Sequence, residues 1–117
     1  MRHHKKGRTF GRTKRGQIAL LRSLVRSLVI HGSIETTLAK AKEVRPLIER
    51  VITLAKSDTV ASRRTVASRL GNATDAVAKL HKEIAPRYKE RAGGYTRITK
   101  LGKQGARKAE EARIEFV

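Results

Sequence analysis

Nine lysines and arginines (Arg2, Lys5, Lys6, Arg8, Arg12, Lys14, Arg15, Arg22 and Arg26) precede Glu35, the first carboxylate of the chain. Ammonium and guanidinium groups at this density do one kind of chemistry well: they make charge-assisted hydrogen bonds to phosphate oxygens. His3 and His4 add donors beside them. The formal net charge is +18 over 117 residues, and such self-repulsion contributes nothing to the stability of a small fold. A polyanion relieves it, and nucleic acid is the abundant intracellular polyanion. A solvated charge run is the plainer reading, but here the cations are many and are not interleaved with acids.

Further cations extend the candidate nucleic-acid-binding set to Lys40, Lys42, Arg63, Arg64, Arg87, Arg91, Arg97, Lys100 and Lys103. For any one of them an ordinary soluble exterior explains the charge equally well. Tyr95 joins the set by position, although its ring, like that of Phe116, reads as a core or sheet residue. Aromatic residues are only 3% of the chain, too few for the stacking array that readers of single-stranded RNA require. Binding is therefore expected to rest on phosphate contacts and shape.

Other chemistries find no support. Gly11 to Gly16 has the glycine spacing of a phosphate-binding loop, but Gln17 stands where Lys-Ser/Thr should follow and no buried strand precedes it. His3, His4, His31 and His81 have no cysteine partners and no tetrahedral spacing, so no metal is expected. Glu110 and Glu111 are adjacent and do not share a helix face, which makes them a poor acid/base pair. Neither an enzymatic activity, a cofactor nor a small-molecule substrate is expected.

The elements that carry these residues follow from hydrophobic spacing. Residues 1–12, with two glycines and no apolar stripe, read as an extended basic arm that orders on binding. A helix is expected over 13–31, with Ile18, Leu21, Val25 and Leu28 on one stripe and Gly32 as its left-handed terminator. Ser33 to Thr37 is a β-prone run, and Thr37 caps the next helix, 38–56. Pro46 lies within that helix and predicts a kink or break near Val44 and Arg45. Asp58 is the expected N-cap of a third helix, 59–70, stopped by Gly71-Asn72. A fourth starts at Thr74 or Asp75 and ends near Ala85, with Pro86 as its stop. Strands are expected at 95–101 and 113–117. The order is helix, strand, three helices, two strands: an α+β chain with residues 13–117 as one domain.

Length and composition agree. A chain of this size buries roughly 65% of its unfolded surface, enough for one modest core. The sequence contains no cysteine, so disulfides and thiolate metal sites are excluded. The apolar run 18–30 is interrupted by Arg22 and Arg26 and falls short of the ~20 residues a membrane span needs, so no membrane partner and no secretory leader are expected.

Several blocks together resemble the bacterial large-subunit ribosomal protein seventeen family. They are Met1-Arg2-His3, Gly11-Arg12-Thr13, Ala19-Leu-Leu-Arg22, Ile34-Glu-Thr-Thr-Leu-Ala-Lys-Ala-Lys-Glu43 with Arg45-Pro46, Ile52-Thr-Leu-Ala-Lys56, Glu83-Ile-Ala-Pro-Arg-Tyr88, Gly93-Gly-Tyr-Thr-Arg-Ile98 and Ile114-Glu115. The resemblance spans essentially the whole chain. It implies a two-layer α/β domain in the large ribosomal subunit of the cytoplasm, bound to large-subunit ribosomal RNA. It also implies a place near the nascent-chain tunnel exit, beside neighbouring large-subunit proteins, and no catalysis. The chain departs from the family pattern at Gly16-Gln17, where members carry His-Arg, and over 103–108, where members carry Pro-Arg-Arg-Gly-Asp. An architectural nucleic-acid-binding protein outside the ribosome is the rival reading. Against it stand the lack of a dimerising apolar face beyond the core and of a wedge-bearing basic hairpin.

Overall fold

Thr13 opens the first helix of the computed structural model, which describes residues 13–103 and 110–117. Its hydroxyl accepts the Gly16 N–H at 3.2 Å, and helix α1 runs Lys14–His31. Gly32, with φ 81°, closes it, a backbone conformation that glycine adopts without penalty. Strand β1 (Ser33–Thr37) follows at once, and the Thr37 hydroxyl caps helix α2 (Leu38–Ser57) through the Lys40 N–H.

α2 runs continuously through Pro46, so of the kink or break expected there the break does not occur. Val44 and Ile48 on either side of the proline are both fully buried, which ties the two halves of the helix to one core. Pro46 and Lys42 lie on the exposed face, and the helix there gives up one bond, the one a residue-46 N–H would donate to the Lys42 carbonyl. Asp58 is also not the N-cap expected of it. It adopts the left-handed conformation (φ 51°) and closes α2, while Thr59 caps helix α3 (Val60–Arg69) in a reciprocal box with Ser62. Both Asp58 and Thr59 are cap-competent, and the return bond from Ser62 decides between them.

Gly71 and Asn72, both at positive φ, turn the chain into helix α4 (Thr74–Lys79). A π-helical stretch, Leu80–Ile84, and a last turn, α5 (Ala85–Arg87), continue the rod past Pro86, which was expected to stop it. The Ala85 N–H bonds five residues back to the Leu80 carbonyl. That wider turn precedes the proline, whose ring would otherwise meet the carbonyl four residues behind it.

Strands β2 (Thr96–Lys103) and β3 (Glu110–Phe116) complete an antiparallel sheet in the order β1-β3-β2, with a bulge in β2 between Lys100 and Gly102. Ile114 pairs with Ile34 on one side and Ile98 on the other, giving an apolar row on the face toward the helices. The core joins Val25, Leu28 and Val29 of α1, Ala41 to Ala55 of α2, and Ala112 and Ile114 of β3. α2 sits at its centre, packed on α1, α3 and all three strands. Truncating fully buried Ile48 to Ala would cost about 2–5 kcal/mol. Ile18, expected on the core stripe, is instead 41% exposed. The α+β class and the expected element order hold, with the fourth helix built as the α4–π–α5 rod.

Candidate nucleic-acid interface

Four carboxylates of the domain, Glu35, Asp58, Asp75 and Glu115, are engaged by arginines. On the open face of the sheet Arg97 donates to Glu115 at 2.8 Å and Arg113 to Glu35 at 2.9 Å. Arg26 on α1 meets Asp75 on α4, and Arg63 on α3 meets Asp58 at 2.7 Å. The hydrogen bond to Asp75, then its charge, raises the Arg26 guanidinium further above its ordinary value. The same bond and the Ala76 N–H hold Asp75 below the usual carboxylate range. These pairs are solvent-exposed, so they contribute little to stability. They fix where four arginine heads sit.

Glu49 is used differently. Its carboxylate accepts the Gly94 N–H at 3.0 Å, the Thr96 N–H at 3.1 Å and the Thr96 hydroxyl at 2.9 Å. Gly93 and Gly94 both hold positive φ in that turn. Tyr95, only 1% exposed, follows it into the core. Its hydroxyl meets Thr53 at 3.1 Å and accepts from Lys56 at 3.0 Å, and its ring lies 5.1 Å from that of Tyr88. Burial pushes the phenol up, but the bonds to Thr53 and Lys56 and the Lys56 charge outweigh it and leave it below the usual tyrosine value. Tyr95 therefore has no open ring face for a base, and the Gly93–Ile98 block pins β2 to α2.

The cations left over are exposed. Lys14, Arg15, Lys42, Arg64, Arg87, Arg91, Lys100 and Lys103 have no carboxylate within ion-pair distance among the described residues. Half-buried Lys40 has none either. Arg87 rests near the Tyr88 ring at 5.9 Å. Arg22 is tied down without an acid: it donates to the Ser68 carbonyl at 3.3 Å and packs against Gly71. Arg2, His3, His4, Lys5, Lys6, Arg8 and Arg12, and the arm they were assigned to, lie outside the described residues, as do residues 104–109.

Helix polarity sharpens the pattern. The first turns of α1, α2 and α3 contain no acidic residue, while Lys14 and Arg15, Lys40, and Arg63 stand in them. Cations at the positive end of a helix dipole are unfavourable in isolation and become favourable when an anion binds there.

Sequence spacing missed Arg45 and Arg50, and gave no reason to favour Arg69. Arg69 lines a hollow of about 210 Å³ with Arg22, over a floor of Ile18, Leu21 and Leu47. It also lines a second of about 390 Å³ with Arg50 and Glu49. Residues 22, 50 and 69 thus become surface neighbours across α1, α2 and α3. Only the tertiary fold reveals this, though the exposed spacing of Lys42 and Arg45 was open to reading.

His81, in the π-helical stretch, stands apart. Its side chain is 8% exposed, and neither ring nitrogen has a hydrogen-bond partner. Nδ1 lies 3.8 Å from Asp58, which is already engaged by Arg63. Burial, and then the Arg63 charge, lower its pKa against the opposing pull of Asp58. A buried polar group left without a partner costs about 1–3 kcal/mol. Among the described residues no group of three or more metal-ligating side chains converges.

The fold and its charge define a small, strongly basic α+β domain whose surplus cations face outward. A family model described as "Ribosomal protein L17" matches residues 20–117. A protein of Persephonella marina named "Large ribosomal subunit protein bL17" is 52% identical over 100% of this chain and 95% of its own length. The chain belongs to the ribosomal protein L17 family, structural constituents of the ribosome.

Proposed function

We propose that this chain is built into the large ribosomal subunit and binds large-subunit ribosomal RNA through Lys and Arg contacts to phosphates. The observation that carries the reading is the set of exposed cations with no carboxylate partner, concentrated on α1, α2, α3 and the 87–103 segment. Family membership supplies the particle, and the charge supplies the means of attachment. Arginines already oriented by Asp58, Asp75 and Glu115 are pre-positioned to share a phosphate at small entropic cost. By family resemblance its place is near the nascent-chain tunnel exit, beside neighbouring large-subunit proteins.

Co-sedimentation tests the reading. The protein is expected to travel with large subunits through a sucrose gradient and to leave them only in concentrated salt. A tagged copy found free of subunits in growing cells would contradict it. Cross-linking from stalled nascent chains tests the position, since contact is expected only from residues newly emerged.

A further inference from the structure

Arg22 of α1 and Arg69 in the last turn of α3 line one hollow of about 210 Å³, and Arg69 with Arg50 of α2 lines the next, of about 390 Å³. Guanidinium groups from three helices thus border two adjoining depressions that share Arg69. Neighbouring like charges repel, so the fold itself gains nothing by gathering them. Among the described residues no carboxylate lies within ion-pair distance of any of the three. The first hollow has no acid in its lining, and its floor is aliphatic, from Ile18, Leu21 and Leu47. The acid beside the second, Glu49, already accepts from Gly94 and Thr96. Arg22 is also held in place. It donates to the Ser68 carbonyl at 3.3 Å, and Gly71 makes room for its stem, since a Cβ there would stand 3.3 Å from Arg22 Cδ. The guanidinium keeps further N–H donors beyond that bond. An anion seated between Arg22 and Arg69 relieves their repulsion, and the aliphatic floor strengthens its bonds by keeping water away. A phosphodiester strand carries an anion at every step, which suits cations set in a row, whereas a carboxylate side chain supplies one. All three cations are arginines, whose planar forks match pairs of phosphate oxygens, while a lysine is a point charge.

We propose that Arg22, Arg69 and Arg50 form a phosphate clamp that seats consecutive phosphates of one strand of the bound ribosomal RNA, one between Arg22 and Arg69 and the next at Arg50. The inference rests on the RNA-binding reading above and adds a defined site to it. At these three positions the shape of the guanidinium counts, and at the scattered exposed cations its charge alone does.

The test uses the full-length protein and large-subunit ribosomal RNA transcribed in vitro, with substitutions that keep the net charge. Arg50→Lys with Arg69→Lys removes two forks, and neither side chain makes a hydrogen bond or ion pair among the described residues, so the melting temperature should stay. Arg45→Lys with Arg64→Lys makes the same change at exposed arginines that line neither hollow. The first pair is expected to bind the RNA about tenfold more weakly, the scale of one lost charge-assisted bond, and the second within about twofold of the parent. Both should keep the parent's salt slope to within about one, since no charge is lost. A second arm leaves the arginines untouched. Ile18→Glu sets a carboxylate on the first hollow from a position 41% exposed, and Ala19→Glu sets the same charge one residue along, outside its lining. Ile18→Glu is expected to bind about tenfold more weakly than Ala19→Glu, because carboxylate and phosphate then face the same arginines. If the two lysine pairs bind alike and the two glutamate variants bind alike, while the parent keeps its steep salt dependence, the clamp is refuted and the RNA-binding reading stands. If the parent shows no salt-dependent binding, both readings fail together. Normal RNA affinity of Arg50→Lys with Arg69→Lys, combined with failed incorporation into subunits, would assign these arginines to a carboxylate of a protein neighbour and overturn the proposal.

Discussion

Replacing Glu49 by alanine should separate the architecture of this domain from the RNA attachment proposed above. The Glu49 carboxylate accepts three hydrogen bonds, from Gly94 N–H, Thr96 N–H and Thr96 Oγ. Thr96 is 4% exposed, so its N–H would have little access to water as a substitute. Bonds to a charged acceptor are worth about 1.5–3 kcal/mol each, and an abandoned buried donor costs about 1–3 kcal/mol. The three share one carboxylate and are not additive, so a total loss of roughly 2–4 kcal/mol is expected. At about 4 °C per kcal/mol for a domain of this size, the melting temperature should fall by roughly 8–16 °C. Glu49→Gln keeps one acceptor oxygen and should fall about half as far. RNA affinity measured well below the melting transition should not weaken, because the change removes a negative charge from a cationic protein. Thermal denaturation followed by circular dichroism, beside filter binding to large-subunit RNA, reads both quantities. An alanine variant that melts within about 2 °C of the parent would refute the anchoring role. One that keeps its stability but loses RNA would show that the Gly93–Ile98 block contacts the nucleic acid directly.

Three further outcomes are expected. Deleting residues 1–12 removes Arg2, Lys5, Lys6, Arg8 and Arg12, and among the described residues the first buried core position is Val25; salt-dependent RNA binding should weaken and the denaturation midpoint should stay. The triple change Lys42→Gln, Arg45→Gln and Arg64→Gln removes exposed cations that have no carboxylate partner among the described residues; isothermal titration should show a salt slope smaller by about two to three, with stability within about 0.5 kcal/mol per site. His81 titrates with a depressed pKa in the folded state, so as pH falls the unfolded chain takes up that proton first. Its contribution is fully present above about pH 6.5 and is lost as pH drops through the lower folded value. Urea midpoints at pH 7.5 and 5.5 should differ more for the parent than for His81→Phe, and equal differences would argue against a buried neutral ring.

What the sequence made legible was local. Gly32 and Thr37 terminate and cap by their own conformational preferences, and each holds the role its residue type suggests. Asp58 and Thr59 compete for one role within two residues, and the outcome depends on Ser62, which no propensity weighs. Pro46 and Pro86 are helix breakers by chemistry, yet tertiary burial overrides the first and a π turn accommodates the second. At the candidate interface, the cation surplus was plain from composition. Which arginines are already engaged was not, because Arg26 meets Asp75 across 49 residues and Arg113 meets Glu35 across 78. The hollows that bring Arg22, Arg50 and Arg69 together were hidden for the same reason.

The sheet order carries a consequence for synthesis. β3 is the latest strand in chain order and the middle one in space. Until Glu110–Phe116 has been polymerised and released, β1 and β2 share no edge and Ile34 and Ile98 have no cross-strand neighbour. Such long-range closure is the slow part of folding. The helices can assemble while translation is still under way, but the sheet closes only once Glu110–Phe116 is available, and a polypeptide lacking that strand would leave β1 and β2 unpaired and exposed to aggregation.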